Sequence, residues 1–243
     1  MLLDKMRSRI DASIDILSRR KFRVDPMGGA KYSRATSIVS AAYKRHGRIL
    51  EEAIRRRLED CEYFEVWYDH RFQVSPAADK VLSGRNADIE NSLPIELPYI
   101  EGGRMLQVDA IVFDRRVGSV RAYEIKRANG HFDAGKKRSI LRDLLAVQTL
   151  LKSYAEKRGM TISVAEARLI AYYGVKPLPE PLSISGDEMD DHFVFSVRKH
   201  VEKVNDYFTE RLHDLLSRET GFAIYPEPDT VCDRCPLHNL RAP

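Results

Sequence analysis

Residues 106–130 read LQVDAIVFDRRVGSVRAYEIKRANG, and their pattern decides the fold class. Two runs of branched and aromatic residues, 105–114 and 120–127, flank the turn RRVGS, the signature of a β-hairpin. Asp109 interrupts the first run, and Glu124 and Lys126 interrupt the second. Strand alternation puts Glu124 and Lys126 on one face. Pairing Asp114 with Ser119 across the turn sets Asp109 opposite Glu124. Two carboxylates and an ammonium then share one patch of sheet.

The flanking segments extend this hairpin into a sheet with helices. Upstream, EYFEVWYDHRFQV at 62–74 reads as a third strand, followed by a polar, proline-containing loop over 76–98. Downstream, 134–158 is an amphipathic helix ending at Gly159. A strand over 163–173, a loop around Pro177, Pro179 and Pro181, a helix over 193–218 and an irregular tail follow. At the N-terminal end, Ile10, Ile14 and Leu17 mark a helix over 2–21, which Asp25-Pro26-Met27-Gly28-Gly29 breaks. A second helix over about 34–60 carries Ile38, Ala41, Ala42, Ile49, Ala53 and Ile54 as its apolar stripe. The order predicts an α/β (α+β) fold, a central mixed β-sheet flanked by helices, in one domain. Residues 1–33 form a basic helical arm, 34–175 the core, and 176–243 a C-terminal helix with a cysteine-containing tail.

With 243 residues, 43% hydrophobic and 31% charged, the chain can fill a core, which excludes wholesale disorder. No run of about 18 apolar residues exists, which excludes a membrane-spanning helix. A charged N-terminal stretch without a signal-peptide core and only three cysteines predict a cytoplasmic protein without a disulfide scaffold. No Walker loop, dinucleotide fingerprint or Ser-His-Asp signature is present. Residues 1–57 hold 15 Lys/Arg against 6 Asp/Glu, while the rest of the chain holds 25 against 30. A basic arm on an acidic body suits a polyanion such as nucleic acid, and equally a solvated helix face.

Two carboxylates at cross-strand distance repel by roughly 0.2–1 kcal/mol. A divalent cation removes that repulsion, and Mg²⁺ takes only one or two carboxylates while keeping several waters. A neighbouring lysine can position the attacking water or stabilise developing phosphorane charge. Asp109, Glu124 and Lys126 thus carry the equipment for metal-assisted phosphodiester hydrolysis. The bland reading is a solvent-facing sheet with an ordinary Glu–Lys pair and an isolated Asp.

The segments VDA at 108–110 and YEIK at 123–126 resemble the motif of the PD-(D/E)xK nuclease superfamily, the restriction-endonuclease-like fold. Val108 stands at the nominal proline, a position that this group varies. The group also tends to carry a glutamate on a helix before the sheet, a few residues after a glycine, as in Gly47-Arg48-Ile49-Leu50-Glu51-Glu52. Spacing from Gly47 favours Glu51. Helical phase does not separate Glu51 from Glu52, and both could balance Arg55 and Arg56 one turn on.

The resemblance implies a Mg²⁺-dependent DNA nuclease, with Mn²⁺ as a substitute metal. Asp109, Glu124 and the Ile125 carbonyl would hold the metal, Lys126 would orient or activate water, and Glu51 would complete the shell or activate the nucleophile. Gln148 is the polar residue expected to face the site from the following helix. Arg55, Arg56 and Arg57, with Lys136, Lys137 and Arg138 at the expected helix N-terminus, are the expected phosphate contacts. His131 and Asp133 lie on the preceding loop. An endonuclease is the first expectation, and double-strand cutting would favour a homodimer. A processing exonuclease in a larger machine, or a non-cleaving nucleic-acid-binding protein, are the alternatives.

Cys232-Asp233-Arg234-Cys235-Pro236-Leu237-His238 has metal-ligand spacing, with Cys61 as a distant fourth donor. It resembles the cysteine-rich endings of iron–sulfur nucleases but lacks their last cysteine. A structural zinc or iron–sulfur centre and ordinary free thiols both remain open.

Overall fold

The fold is that of a computed structural model, which describes residues 1–82, 89–128, 130 and 132–221. Helices α1 (Leu2–Arg19) and α2 (Gly29–Leu58) lead into strand β1 (Phe64–Val74). Two short helices, α3 (Pro76–Val81) and α4 (Ile89–Ser92), lie where a loop was expected, and Ser75 caps α3 through the Ala78 N–H. Strands β2 (Arg104–Asp114) and β3 (Ser119–Lys126) form the hairpin, and α5 (Ala134–Glu156) crosses over to β4 (Val164–Ala171). A three-residue strand β5 (Ser183–Ser185), a short α6 (Met189–Phe193) and α7 (Arg198–Thr220) complete the described chain. Helix α2 begins earlier than its apolar stripe suggested, because the Asp25 carboxylate accepts the Met27 and Gly28 N–H groups and starts the turn into it.

The sheet order is β1-β2-β3-β4-β5. The first three strands are antiparallel, and β3-β4 and β4-β5 are parallel. A parallel neighbour needs a crossover, which α5 supplies. The hairpin turn closes with the Gly118 N–H donating to the Asp114 carbonyl, and Gly118 has φ +63°, the left-handed geometry that glycine adopts without strain.

Helices cover both faces. On one, Met6, Ile10 and Leu17 of α1, Leu50 and Ile54 of α2, and Val201 and Phe208 of α7 pack with Ala110, Val112, Tyr123 and Ile125 of the sheet. On the other, Leu144, Leu145, Leu150 and Leu151 of α5 pack on Phe72, Ile111, Val120 and Ala122. Among the described residues, no helix is long and apolar enough to cross a membrane.

One irregularity positions everything that follows. Trp67 pairs with Ile111, but Asp69 pairs with Val108. Two residues of β2, Asp109 and Ala110, therefore face Tyr68 alone, which is a β-bulge. Alternation slips with it: Leu106, Val108 and Ile111 join the α5-side core, while Ala110 and Val112 join the other. The expected register between β2 and β3 holds from Asp114↔Ser119 to Ala110↔Tyr123 and stops there. Asp109 is thus not a ladder partner of Glu124, because its backbone belongs to the bulge. Its Oδ2 instead accepts the Ile125 N–H at 2.9 Å.

Candidate active site

Asp109 is 4% exposed. Besides the Ile125 N–H, its carboxylate accepts from Gln107 Nε2 at 3.0 Å on Oδ1 and lies 3.8 Å from Lys126 Nζ. Bulges re-aim side chains, and this one turns Asp109 into the gap that opens where β2 leaves β3. Lys126 also contacts Glu124 directly. Ile125 directs its N–H toward β2, and the N–H and C=O of one strand residue point to the same side. Its carbonyl therefore faces the same gap, whereas the Lys126 carbonyl accepts from Tyr172 N on the β4 side.

Glu51 enters from α2. Burial pushes its carboxyl up to about 7, and the charges of Asp109 and Glu124 add to that rise against Lys126 and Arg55. Glu124 is raised as well, by burial and then Asp109, with Asp143 adding to it. Burial works against the Lys126 ammonium, but Glu124, Asp109 and Glu51 overcome it and raise its pKa. Three carboxylates thus surround one ammonium, with more negative charge than the lysine neutralises. Glu52, by contrast, pairs with Arg9 and, at 2.8 Å, with Arg56. Packing of α1 against α2 selects Glu51 for this cluster, a choice that helical phase left open.

Arg55 does not stand out toward solvent. Its guanidinium donates to the Asp109 carbonyl at 2.9 Å and lies 4.8 Å from the centre of the Tyr68 ring, the residue opposite the bulge. It braces the irregular backbone from α2. Arg56 is tied to Glu52, and Arg57 donates to the Ser196 carbonyl at 2.8 Å and to Asp60. The triplet at 55–57 is therefore not one cationic patch, because each side chain has an intramolecular partner.

Gln148 requires a firmer correction. Its Nε2 donates to the Ala165 carbonyl at 2.9 Å and its Oε1 accepts the Ala167 N–H at 2.6 Å. Strand β5 pairs only with residues 169–171 of β4, so the preceding stretch has an open edge, and Gln148 caps it instead of facing Asp109. Lys136, Lys137 and Arg138 sit exposed on the first turn of α5, where Asp133 caps the helix through the Lys136 N–H at 2.8 Å. Cys61 packs in the core and is 9% exposed. Its expected co-ligands Cys232, Cys235 and His238 lie outside the described residues, as does His131.

Two contributors were not anticipated. Gln107 shares the strand face of Asp109 two residues away, a spacing that was open to reading. Asp143, on the Ile140–Leu144–Val147 side of α5, lines a cavity of about 230 Å³ together with Glu124, Val108 and Ala122. It forms an ion pair with Arg104 at 2.8 Å.

Among the described residues, no three His, Cys, Asp or Glu side chains form a ready-made metal cage. The donor set nevertheless fits a hard cation that keeps most of its water: Asp109 and Glu124 supply carboxylates, Ile125 a carbonyl, and the raised Glu51 and Glu124 carboxyls mark negative charge lacking a counterion. No family model, curated protein or solved structure matches this chain.

Proposed function

We propose that this chain is a divalent-metal-dependent nuclease that hydrolyses DNA phosphodiester bonds, an endonuclease built on a restriction-endonuclease-like version of the mixed sheet. The observation that carries the reading is the convergence of Asp109, Glu124, Lys126 and Glu51, from three separate elements, on the bulge where β2 leaves β3. A structural ion cluster would balance its charges. This one holds three carboxylates against one lysine, with Arg55 spent on the backbone.

Asp109, Glu124 and the Ile125 carbonyl would hold Mg²⁺, which when bound supplies Lewis-acid polarisation of the phosphate and lowers the pKa of water. Asp109 is fixed for that task by Gln107 and the Ile125 N–H. Lys126 places an ammonium beside both ligands, suited to holding the attacking water or stabilising charge on the phosphorane oxygens. Glu51, with a pKa of about 7, accepts a proton at neutral pH and can return it, as a general base should.

A supercoiled plasmid incubated with the protein, with and without Mg²⁺, tests the proposal. Nicked or linear product that depends on metal is expected. Loss of linear DNA alone would make the activity exonucleolytic. Unchanged DNA in both Mg²⁺ and Mn²⁺ would overturn the assignment.

A further inference from the structure

Glu51 lies on a longer stripe of α2. Ser37, Ala41, Lys44, Arg48 and Glu51 follow at spacings of four, three, four and three. At 100° per residue they stay within an arc of about 80°. The helix face that presents Glu51 to the carboxylate cluster therefore continues, toward the helix N-terminus, as a polar and then cationic face.

That face is also a groove. Arg20, Ser37, Ser40, Lys44, Arg45 and Arg48 line a depression of about 400 Å³ between α2 and the chain leaving α1. Arg45 and Arg48 also line an adjoining groove of about 220 Å³ against α1, beside Arg9. Among the described residues, no carboxylate lines either groove. Among those same residues, Lys44, Arg45 and Arg48 have no acidic partner, unlike Arg56 and Arg57. Four cations without counter-charge, interleaved with serine hydroxyls, are the side chains that proteins use on the phosphate backbone.

We propose that this groove is the track along which a nucleic-acid strand is led to the carboxylate cluster, its phosphates held by Arg20, Lys44, Arg45 and Arg48. The direction of the track rests on the nuclease reading, whereas its affinity for phosphodiester backbone does not. From Ser37 to Glu51 the stripe rises about 21 Å, which spans roughly six nucleotides at 3.4 Å each. The recognition is of backbone, so it carries no base preference.

The test is fluorescence anisotropy of a labelled 20-base-pair duplex on the full chain in EDTA, where no cleavage occurs, over a salt series. Arg45→Gln with Arg48→Gln should weaken binding about tenfold and make the log–log salt slope shallower by about 1.8, or 0.9 for each phosphate left without its arginine. Lys44→Gln should do so by about 0.9. Arg56→Gln, whose side chain is spent on Glu52, should leave the slope unchanged. Slopes unchanged in the double variant and in Lys44→Gln would overturn the track. So would competition by millimolar inorganic phosphate beyond that of chloride at matched ionic strength, which would mean a discrete phosphate pocket. The two proposals fail separately. Expected slopes without Mg²⁺-dependent cleavage would remove the nuclease and keep the track, and cleavage with unchanged slopes would do the reverse.

Discussion

Replacing Glu51 with glutamine isolates the electrostatic cost of the cluster. The Glu51 carboxyl titrates at about 7 instead of its usual 4.5, from burial first and then the charges of Asp109 and Glu124. A raised carboxyl pKa means that the folded protein holds the proton more tightly than the unfolded chain. The resulting stability is present below pH 4.5 and is lost as pH rises through 7. The full displacement corresponds to about 3 kcal/mol, and solvent contact at a partly exposed side chain reduces it to about 2 kcal/mol. Glutamine has the shape of the protonated acid and no titration. In EDTA, Glu51→Gln should match wild type near pH 4.5 and exceed it at pH 8 by about 4–8 °C in Tm, given about 2–4 °C per kcal/mol for a chain of this size. Thermal unfolding of both proteins at pH 4.5, 6, 7 and 8 provides the readout. A Tm difference that stays constant across the series would refute the claim that Glu51 sits desolvated beside other carboxylates.

The other expectations concern neighbouring positions. Asp109→Asn and Lys126→Ala should each reduce Mg²⁺-dependent cleavage at least about 100-fold, measured as plasmid nicking rates. Asp109→Ala should also lower metal-free stability by about 1–3 kcal/mol in a urea titration, because the buried Ile125 N–H is left without an acceptor. That destabilisation opposes the relief of repulsion that the sequence alone suggests. Adding 10 mM Mg²⁺ at pH 8 should raise the wild-type Tm and leave Asp109→Asn unmoved, which differential scanning fluorimetry would read. Gln148→Ala should lower stability by about 1–3 kcal/mol by uncapping β4 while leaving cleavage per folded molecule intact.

The hairpin was legible because its evidence is local. An acid inside an apolar strand and a Glu-x-Lys inside the next are visible without knowing anything beyond the turn, and the register across that turn follows from Asp114 and Ser119. What escaped depends on partners distant in sequence. Glu51 and Glu52 differ because Arg9, on another helix, takes only the second. Gln148 was misplaced because α5 buries Leu144, Leu145, Ala146, Val147, Leu150 and Leu151 almost all round, so no single stripe fixes which way it faces. The edge that it caps exists because β5 is three residues long, too short to announce itself. The helices α3 and α4, of six and four residues, were hidden among the turn-forming residues of 76–98 for the same reason. The bulge itself left one trace, an alternation that changes parity at Asp109, but the aspartate at that point invited a functional explanation first.

That extra residue separates what the fold wants from what the site wants. Remove Ala110, and Leu106, Val108, Ile111 and Phe113 would fall into one unbroken alternation toward α5, giving β2 a regular ladder with β1. Asp109 would then turn with Ala110's old neighbours toward the apolar layer beneath α2, away from Lys126. A chain shortened by that single residue is the natural competitor of this one: better paired, and chemically mute. Any lineage or design protocol that selects on stability alone should drift toward the deletion, so an intact bulge is itself a record that selection acted on something other than folding.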